Sequence, residues 1–405
     1  RLVGSEMCIR DRVQTPVLAA ISRRYREREN HISSDSWPIY ISLQKDGILF
    51  KMRRTQDLPD KESATMFFQD CKLARQAQIT GISHSIKEIL PPDLLDLTQL
   101  QKEANIRYGF TASEVYNIAQ SLYEKKLISY PRTSSRYLTE DVFDSLSPIM
   151  ARLLSWELFP ATKGTGGIDI SGLSRHVISA EKANVHHAII ITGIRPGNLS
   201  EKEMQVYRLV AGRMLETFMA PCRIETTNVE AVCAAQHFKA EQTRIIEAGW
   251  HDVFMRSDMV PKSGYSVNEL PEVEKSDTLN VCGCNMVHKK QLPVNPFTDA
   301  ELVEYMEQNG LGTVSSRTNI IRTLVNRKYI RYSGKYIVPT PKGMFTYETI
   351  RGKKIADTSL TADWEKQLAG LESGMITGQD FLNRIRTLAK EMTDDIFNTY
   401  STKEE

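Results

Sequence analysis

The residues best suited to chemistry lie in KKLISYPRTSSRYL, positions 125–138. Tyr130 stands directly before Pro131, whose ring fixes its own backbone and restricts its predecessor, so the tyrosine sits at a rigid exit from which its hydroxyl can project. Arg132 and Arg136 follow at spacings suited to holding phosphate oxygens. A tyrosine oxygen can attack a phosphodiester covalently, and guanidinium groups stabilise the charge that develops on the phosphoryl oxygens. In isolation a Tyr-Pro-Arg triplet is more often a surface turn. A second candidate is His186 in NVHHAIIITG, positions 184–193, whose ring could donate a hydrogen bond to a phosphate. Its neighbour His187 reads as structural.

Helices must carry these residues. Thr111 and Glu114 form a capping box that opens a helix through Lys126 and so delivers the chain to Tyr130. A similar box at Thr98 and Gln101 opens a helix through Asn105, with Gly109 between the two. After Tyr130 the pattern predicts a long helical stretch to Phe159, a Gly-rich loop at 163–172, and a helix from about Ser200 to Ala220. Strand-like alternation occurs in IYISL (39–43), ILFKMRR (48–54) and TMFFQDC (65–71), and again in IETTNVEAV (224–232), HFKAEQTRII (237–246) and TLNVCGC (278–284). The two strand-rich segments bracket the helical part and are read as one discontinuous sheet domain.

At the chain's start, Val13, Val17, Leu18 and Ile21 repeat at helical spacing to Tyr25, ending in arginines. Past position 293, a capping box at Thr298 and Glu301 opens a helix stopped by Gly310. A second helix over Ser316–Arg327 and a hairpin with a Ser-Gly turn (329–340) follow, an order that makes a winged helix.

The 405 residues, 41% hydrophobic and 25% charged, suffice for two to four domains. No run of 18 apolar residues and no signal-peptide pattern occurs, which points to a cytoplasmic protein without a membrane partner. The six scattered cysteines read as reduced thiols. Cys282 and Cys284 with His288 lack the paired spacing of a zinc site and read as a strand end. Net charge is only +2, but basic residues cluster at Arg12, Arg23, Arg24, Arg26 and Arg28 and again at Arg317, Arg322, Arg327, Lys328 and Arg331. Either cluster is a solvated helix face or a set of phosphate contacts.

Segment 125–138 resembles the LITYPRTDSRYL signature of type IA DNA topoisomerases, and LTQLQKEANIRYGFTASEVYNIAQSLYEKKLISYP upstream of it resembles the topoisomerase III kind almost throughout. NVHHAIIITG resembles HHAIIPTG. RVQTPVLAAISRRY (12–25) resembles GRVQTPTLALI, and LGTVSSRTNIIRTLVNRKYI (311–330) resembles IGTPATRAEIIETLIKRGYI. LTADWEKQLAGLESG (360–374) also matches, as packing.

The resemblance implies Tyr130 as the nucleophile forming a 5′-phosphotyrosyl link, Arg132 as the arginine positioning the scissile phosphate, and His186 as a contact to the backbone near it. It makes Arg12, Gln14, Thr15, Arg136, Gly312, Thr313 and Arg317 candidates for binding single-stranded DNA. A Gly-Thr turn at a helix N-terminus suits an anion because free N–H groups and the helix dipole both favour one. Ser134 replaces an acidic residue of the family, and Ile191 a proline.

The implied fold is a multidomain α+β toroid. A winged-helix base (12–38 with 293–405) supports a β-rich arch (39–95 with 223–292), and the arch carries a helical domain with the tyrosine (96–222). Residues 1–11 match nothing and read as a foreign leader. The implied activity is ATP-independent cleavage of one strand, passage of another and religation. Family members carry an acidic Toprim domain ahead of the segment beginning at Arg12, where magnesium binds. The expectation is therefore that this chain binds no metal, is inactive alone, and works with a Toprim domain lost or supplied by another chain. Two other classes compete. A tyrosine recombinase needs a His-x-x-Arg pairing ahead of a C-terminal tyrosine, which is missing. The more serious rival is a non-catalytic winged-helix protein that binds single-stranded DNA.

Overall fold

In the computed structural model the described residues are 13–156, 158–159, 175–183, 186–255, 262–360, 371, 375 and 377–401. Arg12, the first eleven residues, the Gly-rich loop and most of 360–374 therefore lie outside the described residues. The architecture is multidomain α+β, with buried apolar side chains gathered in three main clusters.

The two strand-rich segments interleave in one closed barrel. Strands β1 (Ile39–Lys45), β2 (Ile48–Arg54) and β3 (Gln76–Ile89) from the first combine with β4 (Cys222–Cys233), β5 (Gln236–Glu247) and β6 (Thr278–Met286) from the second, in the order β1-β2-β5-β4-β3-β6. Alternate residues Ile39, Ile41 and Leu43, with Met52, Val229 and Phe238 from other strands, are fully buried in its interior, as the two-residue period of a barrel wall requires. Closure leaves no free edge along the shared strands, which is how strands far apart in sequence stay in register.

The segment TMFFQDC is not a strand. It lies in helix α2 (Lys61–Leu73), capped by Asp60, whose carboxylate accepts from the Ser63 amide at 2.7 Å. Ala64 and Cys71, two turns apart, face the barrel while Met66 is exposed, so the segment's period is helical and the Asp60 cap was the overlooked signal. Conversely β3, with most of its second half exposed, shows too little apolar alternation to be read from sequence.

Helices α3 (Leu97–Tyr108) and α4 (Ala112–Glu124) are joined through Gly109, which takes φ +70° at the end of α3, a conformation open to glycine at little cost. The Thr111–Glu114 box caps α4 as expected. The box read at Thr98 and Gln101 does not form: Asp96 caps α3 by accepting from the Gln99 amide at 2.7 Å. Both polar side chains instead point into the packing against α8 (Asp299–Gln308) and α9 (Arg317–Asn326). Thr98 Oγ1 donates to Glu307, and Gln101 Nε2 donates to Thr318 Oγ1 at 3.1 Å and to the Ala112 carbonyl at 3.0 Å.

The long helix expected after Tyr130 is also absent. Residues 131–138 run extended before the short helices α5 (Glu140–Asp144) and α6 (Leu146–Ser155). Helix α7 (Glu201–Phe218) then packs against α3 and α4. At the other end, α1 (Gln14–Glu29) runs one turn past Tyr25 and packs with α8, α9 and the hairpin β7 (Ile330–Ser333) and β8 (Tyr336–Pro339). The hairpin's two turn residues are Gly334 and Lys335, one position later than read, because Ser333 pairs with Tyr336. Helix α10 (Pro341–Ile350) follows, and α11 (Gly378–Ser401) ends the chain. Among the described residues no helix is long and apolar enough to cross a membrane.

The tyrosine-bearing helices meet the α1/α8/α9 unit through polar contacts. Lys102 pairs with Glu304 at 2.8 Å, and Asp299, 3% exposed, accepts from the Tyr332 hydroxyl at 3.1 Å and from the Ala112 amide. Burial pushes the Asp299 carboxyl up to about 6, against these hydrogen bonds. Above that pH the folded protein holds a buried charge that the unfolded chain would solvate. Stability tied to this group is thus fully present below the ordinary carboxylate range and is lost as pH rises through about 6. Asp299→Asn, which keeps an acceptor for both donors, should be more stable than the parent at pH 8 by roughly 1–3 kcal/mol. The gap should close below about pH 4, measured by urea unfolding across pH; a gap independent of pH would refute the assignment.

Candidate active site around Tyr130

The helix α4 ends at Glu124, and Leu127 and Ile128 drop into the helical core, which fixes where Ser129 and Tyr130 emerge. The second half of the site arrives by backbone pairing. Segment 188–192 runs beside 127–137: the Ser129 amide donates to the Ile190 carbonyl (2.8 Å), Thr192 to Leu127 (3.1 Å), Ala188 to Tyr137 (2.9 Å) and Ile189 to Leu95 (2.8 Å). Ser129 Oγ donates to the Ala188 carbonyl at 3.1 Å and accepts from the Ile190 amide at 3.0 Å. Thr133 Oγ1 closes the set by donating to the His186 carbonyl at 2.9 Å.

This stapling brings His186 onto Tyr130, with ring centroids 4.5 Å apart and planes at 46°. On its other side Tyr130 meets the ring of Tyr123 edge-on, at 5.4 Å. Tyr130 is half-buried and His186 exposed, so the pair lies on a surface that a strand could approach. Arg132 lies beside α4, its Nη2 donating to Gln120 Oε1 at 3.1 Å and its guanidinium carbon 5.2 Å from the Tyr116 ring centre. Its buried Nε has no hydrogen-bond partner. His187 turns away, its Nδ1 2.7 Å from the Ala188 carbonyl oxygen. Ile191, where the resembled family has proline, uses its amide on Met214 Sδ at 3.2 Å and is fully buried.

Several other expected DNA contacts are placed elsewhere. Gln14 and Thr15 are 7% and 3% exposed in the packed first turn of α1, and Gln14 Oε1 accepts from Arg327 at 3.2 Å. Arg317, 8% exposed, spends Nη1 on Thr98 Oγ1 and Glu307, both at 3.1 Å. These side chains hold elements together, because a helix start that packs on three neighbours has no free face for a phosphate. Thr313 is exposed, yet its amide is taken by Ser316 Oγ at 2.8 Å. Gly312 takes φ +76° with Ser316 and Ile320 close by, which makes it a packed turn. Arg136 gives Nε to Asp96 Oδ2 at 2.6 Å, so it clamps the tyrosine segment to the α3 cap. Burial pushes the Asp96 carboxyl up, opposed by the Gln99 amide and Arg136.

A feature not singled out in the sequence is a cleft of about 870 Å³ between α1 and the chain after α10, lined by Arg23, Arg26, Tyr305, Tyr347, Arg351 and Lys353 among others. The run Arg351-Gly-Lys-Lys354 was the available signal. Among the described residues no group of three or more His, Cys, Asp or Glu side chains converges as a metal site would require. The resemblance assigns magnesium to the Toprim domain.

Arg136→Ala would leave the Asp96 carboxylate, 1% exposed, with one hydrogen bond in place of two. The expected loss is roughly 2–3 kcal/mol in denaturant unfolding, below the range for a fully buried pair because Arg136 is partly solvated. A loss under about 0.5 kcal/mol, the scale of a surface pair, would show that the clamp is not formed.

The family model described as "DNA topoisomerase" matches residues 10–383. DNA topoisomerase 3 of Bacillus licheniformis is 30% identical over 410 residues, which cover 95% of this chain and 56% of that protein. DNA topoisomerase 1 of Methanocaldococcus jannaschii is 30% identical over 397 residues, 97% of this chain and 50% of that protein. The chain thus spans about half the length of these relatives. The solved structure of full-length topoisomerase I from Thermotoga maritima superposes with a TM-score of 0.72 over 94% of this chain and 62% of that one, at 23% identity, a likeness of fold. With the family model covering nearly the whole chain, this protein belongs to the type IA DNA topoisomerases and is topoisomerase III-like.

Proposed function

We propose that this chain is the strand-cleaving body of an ATP-independent type IA topoisomerase, with Tyr130 as nucleophile. The observation that supports this most is the Tyr130–His186 contact at 4.5 Å, made on an open surface with Arg132 two residues away. The Tyr130 oxygen attacks the phosphorus of one DNA strand and loses its proton. The bond to the 3′ oxygen breaks, and that oxygen takes up a proton as it leaves. The 5′ phosphate stays on the tyrosine, and the reverse attack by the 3′ hydroxyl reseals the strand. Positive charge from Arg132 and a hydrogen bond from His186 lower the energy of the crowded, negatively charged phosphoryl group. No separate energy source is needed, since the phosphodiester energy is held in the phosphotyrosine.

The cationic cleft beside α1 supports a path for single-stranded DNA away from Tyr130, with arginine and lysine on phosphates and the partly exposed Tyr305 ring available for base stacking. Gln14, Thr15 and Arg317 are buried in the packing and lie outside this cleft. Strand passage and a Toprim domain that supplies magnesium belong to the same proposal.

Single-stranded oligonucleotide should bind better than duplex and lose affinity steeply with salt. Cleavage is tested by trapping the covalent adduct with the chain alone and with a topoisomerase III Toprim domain joined ahead of Val13. Tyr130→Phe should abolish the adduct while leaving affinity nearly unchanged, and Arg132→Ala should slow its formation by about a hundredfold or more. An adduct that survives in Tyr130→Phe would move the nucleophile elsewhere. Binding without any adduct in either form would favour a non-catalytic single-strand binder.

A further inference from the structure

The residues that hold Arg132 all come from one face of α4. Tyr116, Gln120, Tyr123 and Glu124 recur at the three- and four-residue spacing that places side chains in one row along a helix. Tyr123 supports the edge of Tyr130. Tyr116 lies against the Arg132 guanidinium. Between them, Gln120 bonds in two directions: Nε2 donates to Glu124 Oε1 at 2.8 Å, and Oε1 accepts from Arg132 Nη2 at 3.1 Å. The carboxylate can only accept from Gln120, so it turns the amide with its oxygen towards Arg132.

We infer that Gln120 is a positioning residue: locked by Glu124, its amide oxygen fixes the Arg132 guanidinium against Tyr116, aimed at the phosphate that Tyr130 attacks. The inference rests on the function proposed above for its consequence, but the orientation of Arg132 is independent of it. A guanidinium on a long side chain loses much rotamer freedom when it grips a phosphate. Holding it beforehand removes that loss from the binding and reaction steps. The orphaned Arg132 Nε fits this account. A buried donor left unpaired is unfavourable, and the arrangement persists because one Nη is anchored to the helix.

Two measurements on the 405-residue chain test this. In the first, affinity for a single-stranded oligonucleotide is measured by fluorescence anisotropy for the parent, Gln120→Ala, Arg132→Ala and the double variant, with thermal unfolding confirming that each is folded. Gln120→Ala should weaken binding by about three- to tenfold, the worth of one hydrogen bond, and should add nothing in the Arg132→Ala background. Additive losses would overturn the inference, because Gln120 would then act without Arg132. Glu124→Ala, an exposed change, should give a smaller loss that also vanishes without Arg132.

In the second, the Arg132 Nε–H resonance is followed by ¹⁵N NMR. Its ring-current shift from Tyr116 and its slow solvent exchange should both be lost in Gln120→Ala. A resonance unmoved by that change would overturn the inference whatever the binding shows. If Arg132→Ala leaves affinity untouched, the phosphate role proposed for Arg132 fails, and the resonance alone decides whether Gln120 positions it.

Discussion

The site depends on main-chain hydrogen bonding between two stretches that are neither helix nor regular sheet. Residues 127–137 and 186–192 run side by side over the helical core, and their amides and carbonyls satisfy one another where water is largely excluded. Buried peptide groups must find partners, and here most lie on the other stretch, while the Leu95 carbonyl and Met214 Sδ take the Ile189 and Ile191 amides. Sliding either stretch by a residue would orphan several of them and would move buried Ile189 and Ile191 out of the core. That constraint sets where His186 meets Tyr130. It also accounts for the extended run after Tyr130, since a helix there would have spent these groups internally.

Around this pair the chain separates side chains that could touch DNA from those that hold the frame. Arg136, Arg213 and Arg317 have carboxylate partners, Asp96 for the first, Glu216 and Glu103 for the second, and Glu307 for the third. The buried guanidinium groups of Arg213 and Arg317 and the partly solvated one of Arg136 each find an anion nearby, as the desolvation cost of a lone charge demands. Arg23, Arg351 and Lys353 instead line the open cleft beside α1, where Arg351 meets Glu348 at 3.7 Å near the surface. A net charge of +2 therefore conceals an uneven surface, and composition was a poor guide to phosphate binding.

The contact between the tyrosine-bearing helices and the α1/α8/α9 unit has the same character. Thr98, Gln101 and Lys102 meet Glu307, Arg317, Thr318 and Glu304 across it, with the buried Asp299, held by Tyr332, at one end. Directional bonds of this kind fix orientation more than they add stability. The raised Asp299 carboxyl is the part that makes the joint sensitive to pH.

The sequence by itself determined the local pieces. Capping boxes at Thr111 and Thr298 marked helix starts that form as read, and Tyr-Pro-Arg with His-His carried the family resemblance. These features are legible because each rests on residues within a few positions of one another. Tertiary structure decided the rest. Packing set which face of α2 met the barrel, and the Thr98 hydroxyl went to Glu307, from the far end of the chain, while Asp96 took the cap. Arginines in one-dimensional clusters look alike. Only three-dimensional packing divides Arg317, buried against Glu307, from Arg351, exposed on the open cleft, because burial is set by proximity in space and leaves no mark on spacing in the chain.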